Sequence, residues 1–123
     1  MRVKTIVRAI TVCVFALGCF SAQGFGDAKK VTLSGQVIDQ MCGGGMKDAA
    51  KAKGHTKACS LMDHCANTGF GVFADGKYVK FDAAGSEKAK AIVEKSAKDK
   101  DIQVTVEGVL EGDTLKVSSI QEK

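Results

Sequence analysis

The stretch GFGVFADGKYVKFD, residues 69–82, is the clearest local indication of how this chain folds. Asp75-Gly76 stands between GFGVFA and KYVKF, two short runs that contain aromatic and β-branched residues. An Asp-Gly pair readily adopts the positive backbone φ angles that a two-residue hairpin turn requires. The stretch therefore predicts a β-hairpin with one strand on each side of the turn.

Three further strands are predicted around this hairpin. VTLSGQVID (31–39) alternates apolar and polar residues, which is typical of a half-buried strand. Gly35 within it indicates a bulge or a bend. IQVTVEGVL (102–110) and TLKVSSI (114–120) flank the turn Glu111-Gly112-Asp113 and predict a second hairpin.

Two regions have helical patterns. From Met46 to about Asn67 the chain is predicted to form a helical insert in two pieces, broken near Gly54. SEKAKAIVEKSAKD (86–99) predicts a second helical region that begins at Ser86. Its apolar stripe is formed by Ala89, Ile92, Val93 and Ala97.

The order of these elements predicts the fold class. The chain is predicted to have five strands. A cysteine-bearing helical insert, about 41–68, follows strand 1, and one helix lies between strands 3 and 4. This order matches the OB-fold, a five-stranded Greek-key barrel. We therefore predict a mainly β, α+β chain in which residues 25–123 form a single OB-like domain. The alternative is an open antiparallel sheet with both helices on one face.

The N-terminus has the features of an export signal. MRVKTIVR carries three basic residues, AITVCVFALGCF is apolar, and SAQG supplies small residues for cleavage after Gly24. Residues 1–24 are therefore predicted to be a signal peptide, too short in its apolar part to span a membrane. The mature protein is expected in the periplasm or secreted, with no transmembrane segment. Cleavage after Gly26 is the alternative.

A lipoprotein signal is a second interpretation of the same segment. Ala16-Leu17-Gly18-Cys19 partly resembles a lipobox, and a lipid on Cys19 would anchor the chain to a membrane, although Leu17 fits that motif poorly. Without residues 1–24 the chain has 15 basic and 14 acidic residues, a formal net charge of +1. This balance gives no basic groove, so nucleic-acid binding is not expected.

Three cysteines follow the predicted signal peptide, namely Cys42, Cys59 and Cys65. If 55–66 is one helix, Cys59 and Cys65 lie about 9 Å apart along its axis and point in different directions, which is beyond disulfide reach. In an oxidising compartment we therefore predict a disulfide from Cys42 to one of the other two. The sequence leaves open which of them it is.

A soft-metal site is the alternative role for these residues. On a single helix, His55, Cys59, Met62 and Cys65 share one face, and Cys42 could join them to bind copper or zinc. The thioethers of Met41, Met46 and Met62 lie near the thiols in sequence and suit Cu(I). His64 falls on the opposite face and is predicted to be a surface residue.

Catalysis is not expected from this sequence. It has no C-x-x-C motif, and neither paired carboxylates nor a Ser-His-Asp set stands out. The predicted function is a non-enzymatic exported domain, binding or structural, stapled through Cys42 and facing a ligand or partner that the sequence does not name. The alternative is a periplasmic copper- or zinc-binding or delivery protein.

The motifs G-x-V-x-D-x-x-C and H-x3-C-x5-C, followed by G-F-G-V and D-G-K-Y-x-K-F-D, span Gly35 to Asp82. With them the chain resembles small exported bacterial proteins of uncharacterised function, a likeness that implies an architecture rather than an activity. A more distant similarity, of fold alone, is to periplasmic OB-barrel proteins that include haem-delivery chaperones. The chain ends in SSIQEK, without the histidine tail that those chaperones use.

Overall fold

A computed structural model describes residues 29–123 of the chain. The predicted signal peptide, residues 1–24, and Cys19 lie outside these residues. The strands are β1 Lys29–Asp39, β2 Phe70–Ala74, β3 Lys77–Phe81, β4 Gln103–Glu111 and β5 Thr114–Glu122. The helices are α1 Gln40–Gly43, α2 Ala49–Gly54, α3 Lys57–Ser60, α4 Asp63–Ala66 and α5 Ala83–Lys95.

The five strands form one sheet that closes into a ring in the order β1-β2-β3-β5-β4. Four of the five neighbouring pairs are antiparallel, and β3 pairs with β5 in parallel through Lys80↔Thr114 and Phe81↔Leu115. The α+β class is confirmed, as are the helical insert after the first strand and the helix between the third and fourth. The predicted alternative, an open antiparallel sheet, is not what forms.

Strand β1 closes the ring because it pairs with two partners. Most of its length pairs with β4, and its last four residues, Gln36–Asp39, pair with β2. At Gly35, where the partner changes, a Cβ atom would overlap the backbone carbonyl of Phe73 in β2. Gly35 is thus the point at which β1 changes its pairing partner. The register shift in this sheet lies elsewhere, between Glu107 and Gly108 in the β4–β5 pair.

Both predicted hairpins are confirmed. Asp75 and Gly76 have φ angles of 51° and 76°, the positive pair that a type I′ turn between β2 and β3 requires. The second turn is one residue shorter than predicted, because Glu111 pairs with Thr114 at the end of the ladder. Within this turn Gly112 has a positive φ of 62°, a conformation that glycine tolerates.

Helix α5 covers part of the apolar core. It begins three residues earlier than predicted because the Asp82 side chain accepts a hydrogen bond from the Gly85 backbone N–H, 3.0 Å away, and caps the helix. It ends at Lys95, so Ala97 is exposed and the prediction that it belongs to the apolar stripe was wrong. The core comprises Val37, Phe70, Val72, Ala74, Phe81, Ala89, Val93, Ile102, Val104, Val106 and Leu115.

The insert differs most from its prediction. Its break after α2 at Gly54 is confirmed, but 55–66 is not one helix, because Met62 has an extended ψ of 136° between α3 and α4. The Lys57 ammonium donates to the backbone carbonyls of Glu94 and Ser96 at the end of α5, at 3.0 and 2.9 Å. α3 is thereby held against α5, while α4 packs against α1. A single straight helix could not make both of these contacts.

Candidate thiol and metal site at Asp39

Asp39, the last residue of β1, is fully buried and holds the insert in place. Its Oδ1 atom lies 2.9 Å from His55 Nε2 and accepts a hydrogen bond from the Ser60 hydroxyl at 3.3 Å. Its Oδ2 atom accepts the backbone N–H of Cys42 at 3.0 Å, which caps α1. One carboxylate therefore joins three separate parts of the insert to the end of the first strand.

The surroundings of Asp39 favour its charged form. Burial by itself raises the pKa of a carboxyl group, but the hydrogen bonds from His55 and from the Cys42 backbone outweigh it. The pKa of Asp39 consequently lies below its usual value of 3.8. The side chain is thus a carboxylate acceptor at neutral pH, which makes its hydrogen bonds charge-assisted.

Cys42 and Cys65 meet beside this carboxylate. Their sulfur atoms are 4.4 Å apart, and with a carboxylate oxygen of Asp39 they form a group in which all three donor atoms lie within 4.8 Å of one another. α1 directly follows β1 and α4 precedes β2, its antiparallel neighbour. The Gln40 backbone N–H donates to the Gly69 carbonyl at 2.9 Å and continues that pairing. The sheet register therefore brings the two cysteines together.

The environment of the two thiols keeps them protonated. Burial, followed by the negative charge of Asp39, raises the pKa of Cys42 to about 11. Burial and Asp39 also raise the pKa of Cys65. Because the thiolate is the form of cysteine that attacks a disulfide and binds a metal ion, these thiols must lose their protons in either reaction. Disulfide formation and metal binding are the chemistries that two adjacent thiols offer here.

The predicted metal ligands are divided by the fold. Cys42 and Cys65 belong to the three-atom group, whereas His55 reaches it only through its contact with Asp39. Cys59 and Met62 are exposed on separate short helical turns, because the helix that would have aligned them is broken at Met62. His64 is exposed, as predicted.

Asp39 itself was missed as a site residue in the sequence interpretation. It appears in the G-x-V-x-D-x-x-C motif, three residues before Cys42, which is the spacing at which an aspartate caps the helix that carries the cysteine. An aspartate at the end of an apolar strand was the available signal. Its link to His55 and Ser60 depends on the path of the insert and could not be read from spacing.

Tyr78 of β3 contacts two residues next to the site in sequence, Ile38 before Asp39 and Gly43 after Cys42. Its hydroxyl donates to the Ile38 carbonyl at 2.9 Å, and burial raises its pKa, so it stays neutral. The ring packs so closely on Gly43 that a Cβ atom there would overlap it. The glycine after Cys42 thus lets α1 lie flat against the sheet beside Asp39.

A cavity of about 330 Å³ adjoins the insert on the side of α5. Its wall includes the Gln40 side chain, whose amide donates to the backbone carbonyls of Phe70 and Phe81 at 3.0 and 3.2 Å. Polar side chains also line it, among them Asn67, Thr68, Ser86, Glu87 and Lys90. It is a mainly polar cleft separate from the thiols.

In comparisons with family models, curated proteins and solved structures, nothing matches this chain. Among residues 29–123 no helix is both long and apolar enough to cross a membrane. A functional assignment therefore depends on the geometry around Asp39.

Proposed function

We propose that this protein is an exported, non-enzymatic OB-like domain whose helical insert is stapled to the barrel by a disulfide between Cys42 and Cys65. The observation that carries the proposal is the 4.4 Å separation of the two sulfurs. They lie beside the Asp39 carboxylate, which already contacts Cys42 and His55 in the insert. The strand order β1-β2-β3-β5-β4, with a helix between β3 and β4, supports the OB-like assignment.

The disulfide needs only a local movement. An S–S bond is about 2.05 Å long, so the sulfurs must approach by roughly 2.4 Å from their 4.4 Å separation. Cys42 is exposed on a four-residue helix that is followed by two glycines, Gly44 and Gly45, the residue type that restricts the backbone least. Each thiol loses a proton, and the electron pair passes to a disulfide-bearing oxidant that leaves as a dithiol. Closing the loop between Cys42 and Cys65 stabilises the fold by about 3 kcal/mol in the chain-entropy model.

Alkylation followed by peptide mapping tests this pairing. The exported protein, after removal of its leader, should carry one alkylatable cysteine, Cys59, and should be lighter by two hydrogens than its reduced form. The Cys59→Ser variant should carry none until it is reduced. Three alkylatable cysteines in the native exported protein, or a bond from Cys42 to Cys59, would contradict the proposal.

A second candidate function is the binding of a soft metal ion by the reduced protein. The observation that favours it is the convergence of Cys42, Cys65 and Asp39 donor atoms within 4.8 Å, together with the Met41 thioether sulfur 3.9 Å from the sulfur of Cys65. Thiolate and thioether ligands select Cu(I), and thiolates also bind zinc. The disulfide form cannot bind the ion through the same sulfurs, so the two functions are alternatives for one site.

Native mass spectrometry of the reduced protein tests the second candidate. After anaerobic addition of Cu(I) or Zn(II) and desalting, we expect one ion per chain in the wild type. The double variant C42S/C65S should retain none, whereas C59S, which alters a cysteine outside the site, should retain it. Equal metal retention by C42S/C65S would refute metal binding at this site.

A further inference from the structure

The geometry points to Cu(I) as the ion and to three sulfur ligands, with Met41 as the third beside Cys42 and Cys65. This inference rests on the second candidate function and goes beyond it by naming the ion and the ligand set. It removes three residues that the sequence pattern had suggested as ligands, namely His55, Cys59 and Met62.

Both carboxylate oxygens of Asp39 and the Nε2 atom of His55 are already hydrogen-bonded. Asp39 Oδ1 contacts both His55 Nε2 and the Ser60 hydroxyl, and Oδ2 accepts the Cys42 backbone N–H. If the Asp39 carboxylate or His55 Nε2 turned toward a metal ion, the buried, charge-assisted hydrogen bonds that hold the insert would break. The sulfurs of Cys42, Cys65 and Met41 make only weak hydrogen bonds, among them the 3.9 Å contact from the Cys65 thiol to Met41 Sδ, so an ion disrupts least by binding to these soft ligands.

The sulfur separations favour low coordination. If each metal–sulfur bond is about 2.3 Å, the 4.4 Å between Cys42 and Cys65 requires an angle at the metal of about 145°. The 3.9 Å between Met41 and Cys65 requires about 115°. Both exceed the tetrahedral angle of about 109° that structural zinc adopts. A tetrahedral zinc ion would need the Cys42 and Cys65 sulfurs to approach by about 0.6 Å and a fourth ligand, whereas a three-coordinate Cu(I) ion fits three sulfurs at their present separations.

The site is open to solvent on its methionine side. Met41 is 55% exposed, and Cys42 is also exposed, while Cys65 forms the floor of the site at 4% exposure. Met62 is exposed as well, but Met41 is the methionine whose sulfur contacts Cys65. An ion can therefore reach Met41 and Cys42 first and then settle against Cys65.

Binding involves no change of oxidation state. The incoming Cu(I) replaces one proton on each thiol, two protons are released to solvent, and Met41 adds its neutral sulfur without losing a proton. Copper stays as Cu(I) throughout. The site is thus one for holding reduced copper, and oxidation of the two thiols to a disulfide would abolish it.

Met41→Leu tests the ligand assignment, because this exposed residue can be changed without disturbing the core. In competition with a chromogenic Cu(I) chelator, the reduced wild type should hold one Cu(I), and M41L should bind it about 10-fold or more weakly. Copper K-edge absorption should count three sulfur neighbours in the wild type and two in M41L. Met62→Leu, the matched control on the other exposed methionine, should change neither measurement.

Each failure has a separate meaning. If M41L binds Cu(I) as tightly as the wild type with an unchanged sulfur count, the third ligand is not Met41 and this inference is overturned, while the two-cysteine metal site stands. A loss on M62L equal to that on M41L would likewise overturn the ligand assignment. If C42S/C65S binds Cu(I) like the wild type, the metal site itself is refuted.

Discussion

Asp39→Asn should lower the free energy of unfolding of the reduced protein by about 3 kcal/mol at pH 7. The asparagine keeps one acceptor oxygen but replaces the other with an NH₂ group. That group faces either the Cys42 backbone N–H, which can only donate, or His55 Nε2 and the Ser60 hydroxyl, which then lose the charged oxygen that they share. Because the Asp39 side chain is fully buried, water cannot replace the lost partner.

Urea denaturation of wild type and variant, with thiols kept reduced, measures this difference. Asp48→Asn is the matched control, since Asp48 caps α2 at the surface, where asparagine caps equally well, and it should change stability by less than about 0.5 kcal/mol. Comparable losses in the two variants would show that Asp39 acts only as a helix cap.

The effect of Asp39→Asn should depend on pH in one direction. The pKa of Asp39 is lowered by folding, so its contribution to stability is complete above its usual pKa of 3.8 and is lost as pH falls through the lower folded value. The difference in free energy of unfolding between wild type and variant should therefore decrease as the pH is lowered below 3.8. A gap that stays constant down to the acid unfolding transition would exclude a charge effect.

Gly35→Ala should destabilise the protein by about 3 kcal/mol and increase its rate of unfolding. The new Cβ atom would overlap the Phe73 carbonyl and lie 3.1 Å from Ala74 Cα, and these backbone atoms cannot rotate away as a side chain would. Relief requires β1 and β2 to separate where β1 changes partner, so the pairing that closes the ring is weakened.

Gly45→Ala is the matched control for this substitution. No atom lies within 4 Å of a Cβ at Gly45, and alanine has less freedom than glycine in the unfolded chain, so stability should stay level or rise by up to about 1 kcal/mol. Thermal and urea unfolding of the two variants provide the comparison. A Gly35→Ala protein within about 1 kcal/mol of wild type would show that the strands adjust and that the close approach is not required.

Much of the sheet could be predicted because its signals are local. Asp75-Gly76 alone determines the first hairpin, since few other dipeptides adopt two positive φ angles, and alternation of apolar residues marks β1, β4 and β5. The start of α5 was predicted three residues late because a capping aspartate, Asp82, stands before a run of small residues with weak patterning. Its end was predicted late because the lysine-rich continuation looks helical.

The insert could not be predicted to the same degree because its shape depends on distant contacts. The spacing of His55, Cys59 and Cys65 fits a single helix, and nothing local shows that Lys57 is held by the end of α5 while Cys65 packs beside α1. These two attachments compete with helix continuity and break it at Met62. The grouping of candidate ligands therefore changed with the fold.

Sequence alone determined the hairpins, the alternating strands and the presence of three cysteines in a helical insert, because turn chemistry and apolar periodicity act over a few residues. The tertiary structure decided which of these cysteines meet. The antiparallel register of β1 and β2 brings Cys42 to Cys65, while His55 contacts Asp39 and is not part of the group that the two cysteines form with it. A pairing between side chains 23 positions apart depends on that register, which sequence spacing does not contain.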